Sequence, residues 1–424
     1  MKFYLAGLII LSLLSAACSG LPESETGTTP QPTPTSTAPV QPTSESTQPP
    51  PGPTVLRIWL PPQFDPASGT AAGELLRQRL EDYTAQRPDV RIETRVKASS
   101  GTGGLLDSLS STSAAAPLVV PDLILLPRES LEIAALKGLL TPYDGLTDAL
   151  ADDWYPYAQE LGKIQTSTFG LPFAGNALVM LYRPSVVEIP PPSWQTALED
   201  AQPIAFPAAE AEAYFPLAGY LSTGAQIQDA EGRPLLENTA LTELLTFFLE
   251  AETAGVMPFW LTQFTDDEQS WQAYTENQVD MVITWMDRYL NTLPGDTSAN
   301  QIITQDGTPF TLATGWVWAL SNNQIERQAL SVDLAEFLTE GDFLAEWSEN
   351  AGYLPPRASA LEGWSNIAMQ GLVTRIVQSA KIIPPNETMA VIGPALQQAT
   401  VDILKKQSTP ASTANEAIES LENP

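Results

Sequence analysis

The chain has 424 residues, with 50 Asp or Glu against 20 Lys or Arg, a formal charge of −30. That balance excludes an electrostatic grip on nucleic acid or anionic lipid, and the lack of histidine beside a single cysteine removes the usual ligands of zinc, copper and haem. At 43% hydrophobic residues, the part from Thr54 onward is long enough for two domains with sizeable cores.

Lys2 is followed by an apolar run, Phe3 to Leu14, and then by Ser15-Ala16-Ala17-Cys18. The order is that of a bacterial lipoprotein signal, in which small residues admit a peptidase and the thiol carries lipid. Ser15 departs from the large aliphatic residue usual at its place. A run of about twelve residues is too short to cross a hydrocarbon core of roughly 30 Å. Residues 1–17 are therefore expected to be removed and Cys18 to be the lipid anchor, the alternative being an ordinary secretory signal with an idle cysteine. Residues 18–53 are almost all Pro, Thr, Ser, Gln and Glu, a composition that cannot bury enough apolar surface to offset chain entropy. They read as a tether with a contour on the order of 100 Å. A body on such a leash works outside the cytoplasm, at the extracytoplasmic face of the cell membrane.

Val55 to Leu60 is a near-continuous apolar strand, as in a sheet covered on both faces. Glu74 to Arg87 is a helix with Leu76, Leu80 and Tyr83 on one stripe and Pro88 ending it. Val90 to Val96 alternates as a strand near an edge does. Gly101-Thr102-Gly103-Gly104 lacks the Lys-Ser/Thr of a phosphate loop and reads as a flexible turn. Asp122 to Leu126 is a third strand, followed by a helix from Ser130 to Lys137 that Gly138 stops. This alternation predicts a parallel sheet wrapped by helices. Further on, Asn238 is the expected N-cap of a helix bearing Leu241, Leu244, Leu245 and Phe248 and closed by Gly255. Met281 to Trp285 and Phe310 to Leu320 are strands. Ile325 to Glu340 is a helix, and so is Pro394 to Lys406, with proline at its first position.

Taken in order, Leu56-Arg57-Ile58-Trp59, Tyr83 to Val90, Pro121-Asp122-Leu123-Ile124, Leu136 to Tyr143, the long block Phe169 to Tyr182, Pro192-Ser193-Trp194, Asp229-Ala230-Glu231-Gly232 and Gly352 to Arg357 resemble the extracellular solute-binding proteins of bacterial ABC importers, in the sugar-binding group typified by maltose-binding protein. The resemblance implies an α/β, two-lobe periplasmic-binding-protein fold of type II, the Venus flytrap, with hinge strands. Lobe 1 would be residues 54–174 and 310–354, and lobe 2 residues 175–309 and 355–424. The implied protein is a monomeric lipoprotein that captures a carbohydrate, an oligosaccharide above all, between the lobes and delivers it to ABC permease subunits. Polar groups from both lobes converge on the guest, so closure is stabilised only when the guest bridges them. The alternatives are a receptor of the same fold serving a membrane sensor or docking partner, or a non-sugar solute such as a polyamine or glycerol phosphate. No cofactor, metal or nucleic acid is implied.

The resemblance also points to particular residues. Trp59 ends the first strand, where α/β sheets place a ligand crevice; it is either a contact or a core aromatic. Gln63 and Asp65 follow in a loop where Pro61-Pro62 departs from the polar residues of maltose-binding protein. Arg128 and Glu129 match a polar contact loop, or are merely solvated. Asn176, on the crossing segment, is implied to meet sugar hydroxyls, or else caps a turn. Tyr214 and Trp285 match stacking aromatics of the family. Trp316 shares a strand face with Trp318 and is the better candidate for the cleft floor; Tyr353 lies at the last lobe crossing. Core packing is the alternative for each of these rings, while Trp260 and Trp271 read as packing or rim residues. An enzyme is not expected: no Gly-x-Ser-x-Gly elbow, histidine triad or metal cluster is present, and with 50 acids a carboxylate pair at glycosidase spacing arises by chance.

Overall fold

A computed structural model describes residues 52–149, 153–321 and 324–422. The expected signal, Cys18 and the tether up to Pro51 lie outside the described residues. The first stretch alternates as the sequence predicts: β1 (Thr54–Leu60), α1 (Ala71–Gln86), β2 (Val90–Val96), α2 (Leu105–Ala115), β3 (Leu123–Pro127) and α3 (Arg128–Leu136). β2 and β3 flank β1 in parallel. Helix α1 starts where Thr70 Oγ1 accepts the Gly73 N–H at 3.1 Å, and it buries Leu76, Leu80 and Tyr83.

After α4 (Pro156–Leu161) and the hairpin of β4 (Lys163–Ile164) and β5 (Ser167–Thr168) comes the long β6 (Gly170–Tyr182). The middle of the chain then forms α5 (Trp194–Asp200), β7 (Ile204–Ala205), α6 (Tyr214–Ser222), α7 (Asn238–Ala254), α8 (Asp267–Thr275), β8 (Met281–Trp285), α9 (Met286–Thr292) and β9 (Ser298–Asn300). β10 (Thr311–Leu320) returns, followed by α10 (Ile325–Leu338), α11 (Gly341–Ala351), α12 (Ala358–Glu362), α13 (Ile367–Ser379), β11 (Ala380–Ile382), α14 (Asn386–Leu404) and α15 (Pro410–Glu422).

The sheet order is β2-β1-β3-β10-β6-β8-β7, with β10 antiparallel to both β3 and β6. Residues 170–177 of β6 pair with β10, whereas residues 178–182 pair with β8. One strand thus belongs to two hydrophobic cores. Leu56, Ile58, Phe173 and Trp318 lie in the first, with Trp59, Ile124 and Leu126 packed on the other face of its sheet; Met180, Leu241, Phe248 and Ile283 lie in the second. The result is a two-lobed α/β fold joined by crossing strands.

The crossing is close-packed. Gly175 and Gly315 stand opposite each other in the β6–β10 pair. A Cβ on Gly175 would fall 2.2 Å from the Tyr157 Oη, and one on Gly315 would fall 2.2 Å from the Ala174 carbonyl. A third segment joins here, because the Gly175 N–H donates to the Leu354 carbonyl and the Leu354 N–H to that of Gly175, both at 2.8 Å.

Several boundaries differ from the sequence reading, among them the start of α1 at Ala71 rather than Glu74. Asn238 is the first residue of α7 rather than its cap, the cap position being Glu237; its amide instead donates to Asn415 Oδ1 at 2.7 Å, so a tertiary partner displaces the local one. Pro394 lies inside α14, which begins at Asn386. The missing proline N–H leaves the Ala390 carbonyl without its usual partner, but a helix start at Asn386 gains a carboxylate cap from Glu132. Asp122 stands before β3, buried, where it accepts the Arg57 N–H at 2.7 Å and pairs with Arg327. Helix α3 starts at Arg128, two residues earlier than predicted, directly from the end of β3.

Candidate functional site

Beside the crossing strands lies a cavity of about 420 Å³ with walls from both lobes. Arg128, Glu129 and Glu132 come from α3, Glu212 and Tyr214 from the start of α6, and Asn386 from the start of α14, while Thr314 of β10 lies at the crossing. Residues 128 and 132 are one helical turn apart and so share a face. That spacing presents a guanidinium and a carboxylate together.

Glu132 is 6% exposed, and both its carboxylate oxygens accept the Asn386 N–H at 3.1 Å. A carboxylate at a helix start satisfies an orphan donor and complements the dipole. Asn386 returns the contact through its side-chain amide, which donates to the Glu129 carbonyl at 2.8 Å. Arg128 Nε and Nη1 are buried with no hydrogen-bond partner among the described residues. Burial pulls the guanidinium's pKa down, against the charges of Glu132 and Glu160. Unpaired buried donors are costly, so this side chain is poised for an acceptor.

Acidic groups stand on both sides of the cavity, Glu129 on α3 and Glu212 before α6. Desolvation at the cavity mouth, with a smaller push from Glu212, raises the Glu129 carboxyl. Burial pushes Glu210 up to about 8, although its carboxylate accepts a long 3.4 Å contact from the Tyr214 N–H. Burial likewise raises the Tyr214 phenol, with the charges of Glu212, Glu129 and Glu210 adding to it. The Tyr214 ring meets Trp285 edge to face at 5.5 Å.

Behind them, Asn176 Oδ1 accepts from its neighbour Ala177 at 3.0 Å and from the Asp287 N–H at 3.1 Å. Burial raises the Asp287 carboxyl, while the Asn176 amide pulls it the other way. The Asp287 charge adds to the burial that raises the Tyr353 phenol, which places Tyr353 beside it. Tyr353 belongs to a cluster around Phe64: Phe64 lies 5.2 Å from Trp316 and 5.3 Å from Tyr353, and Trp347 stacks on Tyr353 at 6.3 Å.

The structure thus brings Arg128, Glu129 and Tyr214 to the cavity wall; Trp285 packs on Tyr214 and Asn176 stands opposite Thr314 in the β6–β10 pair without lining the cavity, and Trp316 and Tyr353 lie in the ring cluster around Phe64. It does not bring in Trp59, which is 2% exposed in the core under α2 with Lys97 Nζ 4.5 Å from its ring centre. Gln63 is exposed and accepts from Ser99 Oγ at 3.3 Å; it does not line the cavity. Sequence reasoning missed Phe64, Glu132, Glu210, Asp287 and Asn386. Glu132 was readable from its spacing to Arg128; Asn386 carried no local signal. Among the described residues no group of three or more His, Cys, Asp or Glu side chains is arranged to hold a metal ion.

Residues 78–371 match the family described as Bacterial extracellular solute-binding protein. No curated protein matches by sequence. A cyclic alpha-maltosyl-1,6-maltose binding protein from Arthrobacter globiformis is similar in structure, with a TM-score of 0.71 at 17% identity over 87% of this chain and 98% of its own. The sugar-binding protein MalE of Xanthomonas citri gives the same TM-score, identity and coverage. The GacH receptor of Streptomyces glaucescens, solved unliganded and with acarbose, gives 0.65 at 13% over 88% of this chain and 99% of its own. At such identities the likeness is one of fold.

Proposed function

The chain belongs to the bacterial extracellular solute-binding proteins, and from that premise we propose that it is a lipid-anchored receptor that captures a carbohydrate between its lobes and hands the closed complex to an ABC permease. The observation that carries this reading is the Tyr214 ring, with Trp285 packed against it, beside fixed polar groups in one cavity. Trp285 and Tyr214 offer a surface for the C–H faces of a sugar. Arg128 offers unpaired donors, and Glu129 and Glu212 offer acceptors for hydroxyls. The similar structures named above include proteins described as binding maltosyl sugars and acarbose, which makes maltodextrins the first probes.

The work is conformational rather than covalent. Because Arg128 and Glu212 lie on different lobes, a guest touching both stabilises the closed arrangement over the open one. A difference of about 3 kcal/mol shifts such an equilibrium by two decades. Anchoring would come from Cys18; among the described residues no helix is long and apolar enough to cross a membrane.

A thermal-shift screen against maltodextrins, other oligosaccharides, polyamines and glycerol phosphates tests the assignment, since a ligand that binds only the folded state raises Tm by mass action. Carbohydrates are expected to give the shift. A shift with polyamines and none with any sugar would overturn the carbohydrate reading. Trp285→Ala should weaken binding about tenfold or more while leaving Tm of the free protein nearly unchanged, because the ring is only half-buried.

A further inference from the structure

A second hollow of about 470 Å³ runs between α14 and α15. It shares Ala390 and Pro394 with the interlobe cavity. These two residues lie one turn apart on one face of α14 and both are exposed. They form the ridge between the hollows, and the ridge is low because neither residue projects a long side chain. Asn386 and Met389 face the cavity on one side of it, while Val391, Ala395 and Gln398 face the groove on the other.

The groove has an unexplained polar group. Thr413 of α15 lines it, is 2% exposed, and its Oγ1 has no hydrogen-bond partner among the described residues. An unmet buried hydroxyl costs on the order of 1 kcal/mol or more. Around it the floor is apolar, from Ala395, Ala399 and Ala417, and the rim carries Gln398, Asp402 and Glu416. An apolar floor with hydroxyl-competent groups at its edge suits a sugar ring, whereas the two rim carboxylates disfavour an anion.

We propose that this groove is an outer subsite for the far end of an oligosaccharide whose near end occupies the interlobe cavity. The proposal rests on the carbohydrate reading above and adds to it a guest that is long and leaves the cleft over the Ala390–Pro394 ridge. A single guest would then touch α3, α6, α14 and α15. The receptor would favour longer chains over short ones, because the outer residues add contacts without a second loss of translational freedom.

Calorimetric titration of the purified protein with maltodextrins of two to six glucose units tests this. The hexaose is expected to bind at least about tenfold tighter than the disaccharide. Ala390→Trp raises the ridge and should bring that ratio close to one. Thr413→Val, which keeps the shape and removes the hydroxyl, should cost the hexaose about threefold. Hydrogen exchange provides an independent readout: the hexaose, but not the disaccharide, should protect amides of α15. If short chains bind and length adds nothing, or if Ala390→Trp leaves the ratio intact and α15 gains no protection, the outer subsite is wrong and the carbohydrate reading stands. If no maltodextrin and no other sugar binds, the carbohydrate reading fails and takes the subsite with it.

Discussion

Two clusters meet at the crossing strands, and they are built on opposite principles. Around Phe64 the groups are rings, held by contact with one another: Phe173 at 5.9 Å, Trp316 at 5.2 Å, Trp347 at 5.7 Å and Tyr353 at 5.3 Å. Around Tyr214 they are carboxylates, Glu129, Glu210 and Glu212, whose charges add to the burial that raises the tyrosine's pKa. The first cluster is stabilised by burial and ring contact. The second sets several partly buried carboxyls against one another, and in the proposed function a guest's hydroxyl donors would relieve that tension. Under the proposed function the division is useful, since the ring cluster would set shape while the acidic cluster would supply the difference between empty and occupied states.

The largest effect is expected from Phe64→Ala. Phe64 is 2% exposed and touches all four partner rings, so its truncation should cost about 3–5 kcal/mol, read as a lower urea midpoint with an unchanged slope. Binding should fall as well, because Trp316 and Tyr353 lose the ring that holds them. A cost below about 1 kcal/mol would mean that the cluster is loosely packed and cannot set shape.

The acidic cluster should reveal itself through pH. Glu210 has a native pKa near 8 because burial disfavours its charged form, against about 4.3 in an unfolded chain. Between those values the native state holds the extra proton, so unfolding releases it and stability falls as pH rises. The loss is fully absent below about pH 4 and complete above about pH 8, with a slope of at most about 1.4 kcal/mol per pH unit from this one group. Glu210→Gln should flatten that slope and raise Tm most at the alkaline end. An unchanged slope would show that Glu210 is solvated and not under tension.

The contrast between the clusters also explains what could be read from the chain. Strands β1, β2 and β8 were legible because their patterns are set by burial, whereas Tyr214, Trp285, Trp316 and Tyr353 were singled out by the family resemblance rather than by any local pattern. Phe64 was hidden between Gln63 and Asp65, since one ring in a polar loop has no period to mark it. Asn386, Glu210 and Asp287 were hidden because their roles depend on groups distant in sequence: Asn386 meets Glu132 across 254 positions. Trp59 misled for a related reason. The strand end fixes its place in the sheet, but the face it occupies is covered by α2, a helix the sequence reading did not find. The early start of α14 was masked by Pro394, whose local preference for a first turn yielded to the cap at Asn386.

The smallest expected effect tests whether the two clusters are coupled. Asp287 follows Trp285, the ring that packs on Tyr214, by two residues; its backbone is held by Asn176 and its charge bears on Tyr353. Asn176→Ala removes the acceptor for the Asp287 and Ala177 N–H groups and should cost about 1–1.5 kcal/mol. It also removes a hydrogen bond that lowers the Asp287 pKa, so that carboxyl should titrate higher, as followed by NMR. Asn176→Asp separates geometry from charge, because it keeps an acceptor oxygen yet sets a second carboxylate against Asp287. At neutral pH it should therefore be less stable than Asn176→Ala, and on acidification it should recover as one of the pair takes up a proton. Equal stability of the two variants at all pH values would mean that Asp287 is solvated, and the ring and carboxylate clusters would then act independently.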